Sequence, residues 1–147
     1  MRGERIVLYT DGGARGNPGP AAVGAVAYDA AGKELFRLSQ YIGETTNNVA
    51  EYRAVVVGLE ALKKRLGLRK TKEAEVEVRL DSELVARQLN GAYQVKEEHL
   101  WPWFMRVHNL RVAMFPRLCF THIPRAQNAQ ADALVNAALD AQDAVGR

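Results

Sequence analysis

The chain has 147 residues, 48% hydrophobic and 25% charged, with a formal net charge of +3. That length suits a single domain, residues 1–147, with its own core, and the composition excludes a disordered chain. No apolar run approaches the ~20 residues of a membrane span and the opening MRGERIVLYT lacks a secretion signal's apolar stretch, so a cytoplasmic protein with no membrane partner is expected.

RIVLYT, residues 5–10, is apolar with little alternation, which predicts a strand covered on both faces. It runs into DGGARGNPGP, an acid followed by four glycines and two prolines. Neither G-x-G-x-x-G opening a helix nor G-x-x-x-x-G-K-[ST] is present, so a nucleotide cradle is excluded and the segment joins strand to strand. AAVGAVAYDAAGKELFRLSQY reads as a hairpin broken at Ala31-Gly32. NNVAEYRAVVVGLEALKKRLG carries Tyr52, Val55, Val56, Leu59, Leu62 and Leu66 at three- and four-residue spacing, a helix stopped by Gly67. The basic run KKRLGLRKTK straddles that helix end, where cations meet the negative end of the dipole, and carries no functional weight alone.

AEVEVRLD alternates with period two and predicts a strand; SELVARQLN before Gly91 predicts a short helix. EEHLWPWFMRVHNLRVAMF predicts a further helix with Pro102 near its first turn. RLCFTHI predicts a last strand, in which the single cysteine, Cys119, is a small buried thiol, and NAQADALVNAALDAQ a final helix capped by Asn128. The order β-β-β-α-β-α-α-β-α describes an α/β fold. Its mixed sheet combines an antiparallel three-stranded meander with later strands added through helical crossovers.

Four acids sit where apolar neighbours are expected. Asp11 ends the most apolar strand, Asp81 ends EVEVRL, Glu51 shares a helical face with Val55 and Leu62, and Asp132 shares one with Val135 and Leu139. Each has an alternative explanation: a turn residue at Asp11, a capping box in Asn48-x-x-Glu51, a helix cap at Asp81, a dipole complement at Asp132. Together they predict a convergence of half-buried carboxylates at one sheet edge, which a hard divalent cation such as magnesium would relieve. The chain has no cysteine cluster or paired histidines to make a zinc site.

YTDGGARGNPGPAAVG, TTNNVAEYRAVVVGLEAL, VRLDSELVARQLNG and HIPRAQNAQADALVNAAL, in that order over nearly the whole chain, resemble the type 1 ribonuclease H family, including small members that lack an extra basic helix. The resemblance implies a five-stranded mixed sheet flanked by helices. It also implies hydrolysis of the RNA strand of RNA/DNA hybrids, leaving 5′-phosphate and 3′-hydroxyl ends. It assigns Asp11, Glu51, Asp81 and Asp132 to two magnesium ions about 4 Å apart, with Asp11 bridging them and manganese as a substitute. His122 matches the family's mobile loop histidine, suited to proton transfer or product release.

The resemblance further implies substrate contacts from Gly12 and Gly13 against the ribose, from Asn17, from Thr46, Asn47 and Asn48, and from Arg15 and Ser82 to phosphates. AYQVKEEHL, before Trp101, is too short and acidic for the basic handle of many relatives, so weaker, salt-sensitive hybrid binding is expected unless Tyr93, Lys96, Trp101 or Trp103 contribute. Double-stranded RNA is a second candidate partner, and a monomer is expected. The rival readings are a binding module without turnover and a nuclease or recombinase acting on DNA junctions. The four acids disfavour the first, and the glycine turn with TTNN disfavours the second.

Overall fold

Two antiparallel hairpins and two helical crossovers assemble one five-stranded sheet in the order β3-β2-β1-β4-β5. The computed structural model describes residues 3–145, so the expected span 1–147 extends two residues beyond it at each end. The strands are β1 (Arg5–Ala14), β2 (Gly19–Tyr28), β3 (Glu34–Thr45), β4 (Glu75–Leu80) and β5 (Leu118–His122). The helices are α1 (Asn47–Leu66), α2 (Leu68–Glu73), α3 (Glu83–Leu89), α4 (Trp101–Ala113) and α5 (Ala129–Val145), with single 3-10 turns at Glu98–Leu100 and Arg125–Asn128. β1 pairs antiparallel with β2 and β2 with β3, whereas β4 runs parallel to both β1 and β5. This is the mixed α/β sheet that the pattern predicts. No helix among the described residues is long and apolar enough to cross a membrane.

Side-chain alternation sorts the two faces of the sheet. Ile6, Leu8, Ala25, Ala27, Val76 and Val78 point into the main core with Tyr52, Val55, Leu59 and Leu62 of α1 and with Phe115 and Phe120. The opposite face is covered only in part, by α5, where Val135 and Leu139 pack on Ala22 beside Tyr41. Beyond α5 that face is wet. Arg5, Glu75, Glu77, Arg79 and Cys119 lie there, joined by the pairs Arg5–Glu77 at 3.3 Å and Arg79–Glu77 at 3.1 Å.

Two expectations need correction. RIVLYT is not covered on both faces: Val7 and Tyr9 are half-buried on the wet side, with the Arg79 guanidinium 5.6 Å from the Tyr9 ring. Cys119 is exposed, because its position on β5 faces the uncovered side. The basic run straddles a helix end as expected: Lys63, Lys64 and Arg65 lie in the last turn of α1, Gly67 at φ 84 stops it, and α2 begins immediately after.

Close backbone contact, beside the packing of Val135 and Leu139, seats α5 on the sheet. A Cβ on Gly24 of β2 would lie 2.5 Å from the Ala131 carbonyl oxygen and 2.8 Å from Leu134 Cβ. Gly24→Ala should therefore destabilise the fold by about 2 kcal/mol, read as a lowered urea midpoint at constant m value. An unchanged midpoint would show that α5 is not held by this contact.

Candidate active site at the sheet edge

The parallel pairing of β1 with β4 sets the site. Tyr9 is the partner of Arg79, so two residues further along each chain Asp11 and Asp81 come level at the same edge. β1 does not end at Asp11 as expected, nor is Asp11 the alternative turn residue: the strand continues through Gly12 and Gly13 to Ala14, which places Asp11 inside it. Gly12 is bare for helix packing: a Cβ there would stand 2.1 Å from the Ala50 carbonyl oxygen. That contact brings the first turn of α1, and with it Glu51, around the sheet edge to Asp11. One oxygen each of Asp11, Glu51 and Asp81 lies within 4.8 Å of the others.

Asp132, from the other face, does not join that trio; it lines the same cleft, of about 440 Å³. Gly12, Gly13, Arg15, Asn47, Asn48, Ser82 and Arg125 line it as well, while Asn17, Thr46 and His122 do not. His122, exposed at the end of β5, pairs with Leu80 and so sits at the same sheet edge.

Several residues expected to touch substrate hold the walls of the cleft together. Asn47 accepts from the Ala14 amide at 2.9 Å and donates its own amide to Asn17 at 3.0 Å, tying the β1–β2 turn to α1. Thr46 caps α1 by accepting from Val49, so Asn48 and Glu51 form no capping box. Ser82, not Asp81, caps α3 by accepting from Val85. Arg15 is bound to Asp140 and Asp143, each at 2.7 Å.

Asn128 is not the side-chain cap expected for α5, since its Oδ1 accepts no hydrogen bond among the described residues. Buried at 1% exposure, it donates to the Thr10 carbonyl at 2.9 Å and to Asp81 at 3.1 Å, stitching the turn before α5 to β1 and to the acid after β4. Arg125, like Asn136, is a cleft residue that sequence reasoning passed over. Its signal was available, since a cation lies between His122 and Asp132 in the loop already singled out.

The electrostatics follow from this packing. Burial, then the charges of Asp81 and Asp132, push the Asp11 carboxyl up to about 7, against the opposing pull of the Gly12 amide and Arg125. Burial first, then Asp11 and Asp81, raise Glu51 well above the usual carboxylate range. Glu51 Oε2 is buried without a hydrogen-bond partner among the described residues, as are Thr10 Oγ1 and Asn128 Oδ1. An all-oxygen donor set with one unsatisfied carboxylate oxygen fits a hard divalent cation.

A family model described as reverse transcriptase-like matches residues 9–138. A ribonuclease HI of Halobacterium salinarum is 42% identical over 139 residues, 95% of this chain and 66% of that protein. A bifunctional protein of Mycobacterium tuberculosis is 41% identical over 138 residues, 93% of this chain and 36% of that one. The chain thus spans from about a third to two thirds of the length of these relatives. The solved structure of LC11-RNase H1 in complex with RNA/DNA hybrid superposes with a TM-score of 0.89 at 51% identity, covering 93% of this chain and 98% of that one. The mixed five-stranded sheet is shared with that structure, and the chain belongs to the ribonuclease H family, as a member of its type 1 branch.

Acids with raised folded pKa values stabilise the fold while protonated. For Asp11 that contribution is complete below about pH 4 and lost as pH rises through about 7; Glu51 acts in the same direction. In chelator the protein should melt several degrees lower at roughly pH 8 than at roughly pH 5, and Asp11→Asn should flatten the difference. Excess magnesium should restore the melting temperature at the higher pH and change little at the lower one. An equal magnesium effect at both would show that these carboxylates do not hold the ion.

Proposed function

We propose that this chain is a metal-dependent endonuclease that hydrolyses the RNA strand of RNA/DNA hybrids, leaving 5′-phosphate and 3′-hydroxyl ends. The observation that carries the reading is the cluster of buried Asp11 and Glu51 with half-buried Asp81, in a cleft that Asp132 also lines. Support comes from a relative at 51% identity whose solved structure contains such a hybrid. Asp11, Glu51, Asp81 and Asp132 would hold two magnesium ions, with manganese as a substitute. When bound, such ions neutralise phosphate charge and generate a nucleophile from water.

The chain's own residues supply the rest. Gly13, where a Cβ would meet only Val135 at 3.7 Å, leaves the backbone open to a ribose. Asn47 and Asn48 form the cleft wall at the start of α1. Arg125 forms no ion pair among the described residues and supplies the cleft with positive charge for a phosphate. His122, free at the rim, would shuttle a proton or assist product departure.

A gel assay decides the reading. RNA/DNA hybrid, double-stranded RNA, double-stranded DNA and a DNA junction are each incubated with magnesium or manganese, with wild type and with Asp11→Asn. The hybrid should be cut by wild type, and more than about a hundredfold more slowly by Asp11→Asn. An intact hybrid beside a cut junction would overturn the proposal, and binding without cleavage would leave the binding-module reading standing. Arg125→Ala should raise KM for hybrid several-fold and make the salt dependence of binding shallower by about one unit of slope. An unchanged slope would remove Arg125 from the phosphate contacts.

A further inference from the structure

Arg15 lines the cleft and its sequence position suggests a phosphate contact, yet its guanidinium is already engaged along one stripe of α5. Nη1 donates to Asp143 and Nη2 to Asp140, each at 2.7 Å, and Nη2 also reaches Asn136 Oδ1 at 3.4 Å. These partners follow Asp132 by four, eight and eleven residues, so they lie on the helical face that Asp132 opens. Asn136 in turn donates through Nδ2 to the Asp132 carbonyl at 3.2 Å and to its carboxylate Oδ2 at 3.4 Å.

An amide has one acceptor and one donor end. When its oxygen accepts from a cation that two aspartates hold in place, its nitrogen is turned toward Asp132. We infer that Arg15 and Asn136 form a positioning relay that orients the Asp132 carboxylate toward the cleft, and that Arg15 serves the metal site through α5 and not the substrate phosphate. A phosphate seeking Arg15 would have to displace two carboxylates, whereas Arg125 offers a charge with no such competitors. Asp132 has need of such support. It lies apart from the trio of Asp11, Glu51 and Asp81, on a half-exposed first turn, and Asn136 is its side-chain hydrogen-bond partner among the described residues. The seat of α5 does not depend on the relay, because Gly24, Val135 and Leu139 make it independently.

The inference rests on the metal-dependent reading of the cleft, and its test separates the two. Manganese binding to the nucleic-acid-free protein is measured by calorimetry for wild type, Arg15→Ala, Arg15→Lys, Asn136→Leu and the Arg15→Ala/Asn136→Leu pair. Hybrid kinetics are then recorded at low and saturating metal. Arg15→Ala and Asn136→Leu should each weaken manganese binding about tenfold, and the pair should be no worse than either alone. Arg15→Lys should recover part of the loss. Turnover should fall at low metal and return at high metal with KM for hybrid unchanged. Asn136→Leu keeps the helix intact and so remains informative if Arg15→Ala fails to fold.

Unchanged metal affinity together with a raised KM in Arg15→Ala would overturn the relay and return Arg15 to the substrate. So would additive losses in the pair. A wild type that binds manganese but cuts no hybrid would sink the proposed activity while leaving the binding comparison to judge the relay.

Discussion

Repulsion among carboxylates held out of water is the constraint around which the molecule is arranged. Asp11 is 7% exposed and Glu51 9%, and both share a 4.8 Å cluster with Asp81. Left alone, such groups would separate or stay protonated. Here neither separation nor solvation is open to them, because each is fixed by backbone. Asp11 and Asp81 are level through a parallel strand pairing, and Glu51 follows from the contact of Ala50 with Gly12. The conflict is therefore written into the sheet and not into flexible loops that could relax it.

The cost is distributed over both faces. α1 brings its acid from the apolar side, where the main core anchors the helix, and α5 brings Asp132 from the side that is only partly covered. Small residues make this possible: Gly12 and Gly24 each admit a helix backbone where any side chain would intrude. Polar side chains then fix what apolar packing leaves loose. Asn128 spans Thr10 and Asp81, Asn47 spans Ala14 and Asn17, and Tyr52 donates to Gln88 at 2.8 Å between α1 and α3. The cleft's two arginines are divided in the same way, one consumed within the protein and one left with its charge available.

Much of this was legible in the chain. Helical spacing marked α1 and α5, the alternation of AEVEVRLD marked a strand, and the element order determined a mixed sheet. What was lost depended on neighbours distant in sequence. DGGA reads as a turn because glycine is punctuation locally, but pairing with β2 on one side and α1 packing on the other extend it as strand. Cys119 looks like a core residue among Leu118 and Phe120, yet which face of β5 is covered depends on where α5 lies. Arg125 shows in the chain only as a cation between His122 and Asp132, and its meaning comes from the acids folded beside it.

The acids themselves show why a convergence was more informative than any single position. Asn, Asp and Glu near a helix start serve equally as caps and as cation ligands, and spacing does not distinguish the two uses. Burial and partnership do. A capping carboxylate stands at the surface with its oxygens on backbone amides, whereas Glu51 lies a turn inside the helix, buried, with one oxygen unpartnered among the described residues. Thr46 has already taken the cap. A buried oxygen that satisfies nothing within the chain is destabilising as it stands. At the meeting point of three carboxylates, a hard cation from solution would satisfy it.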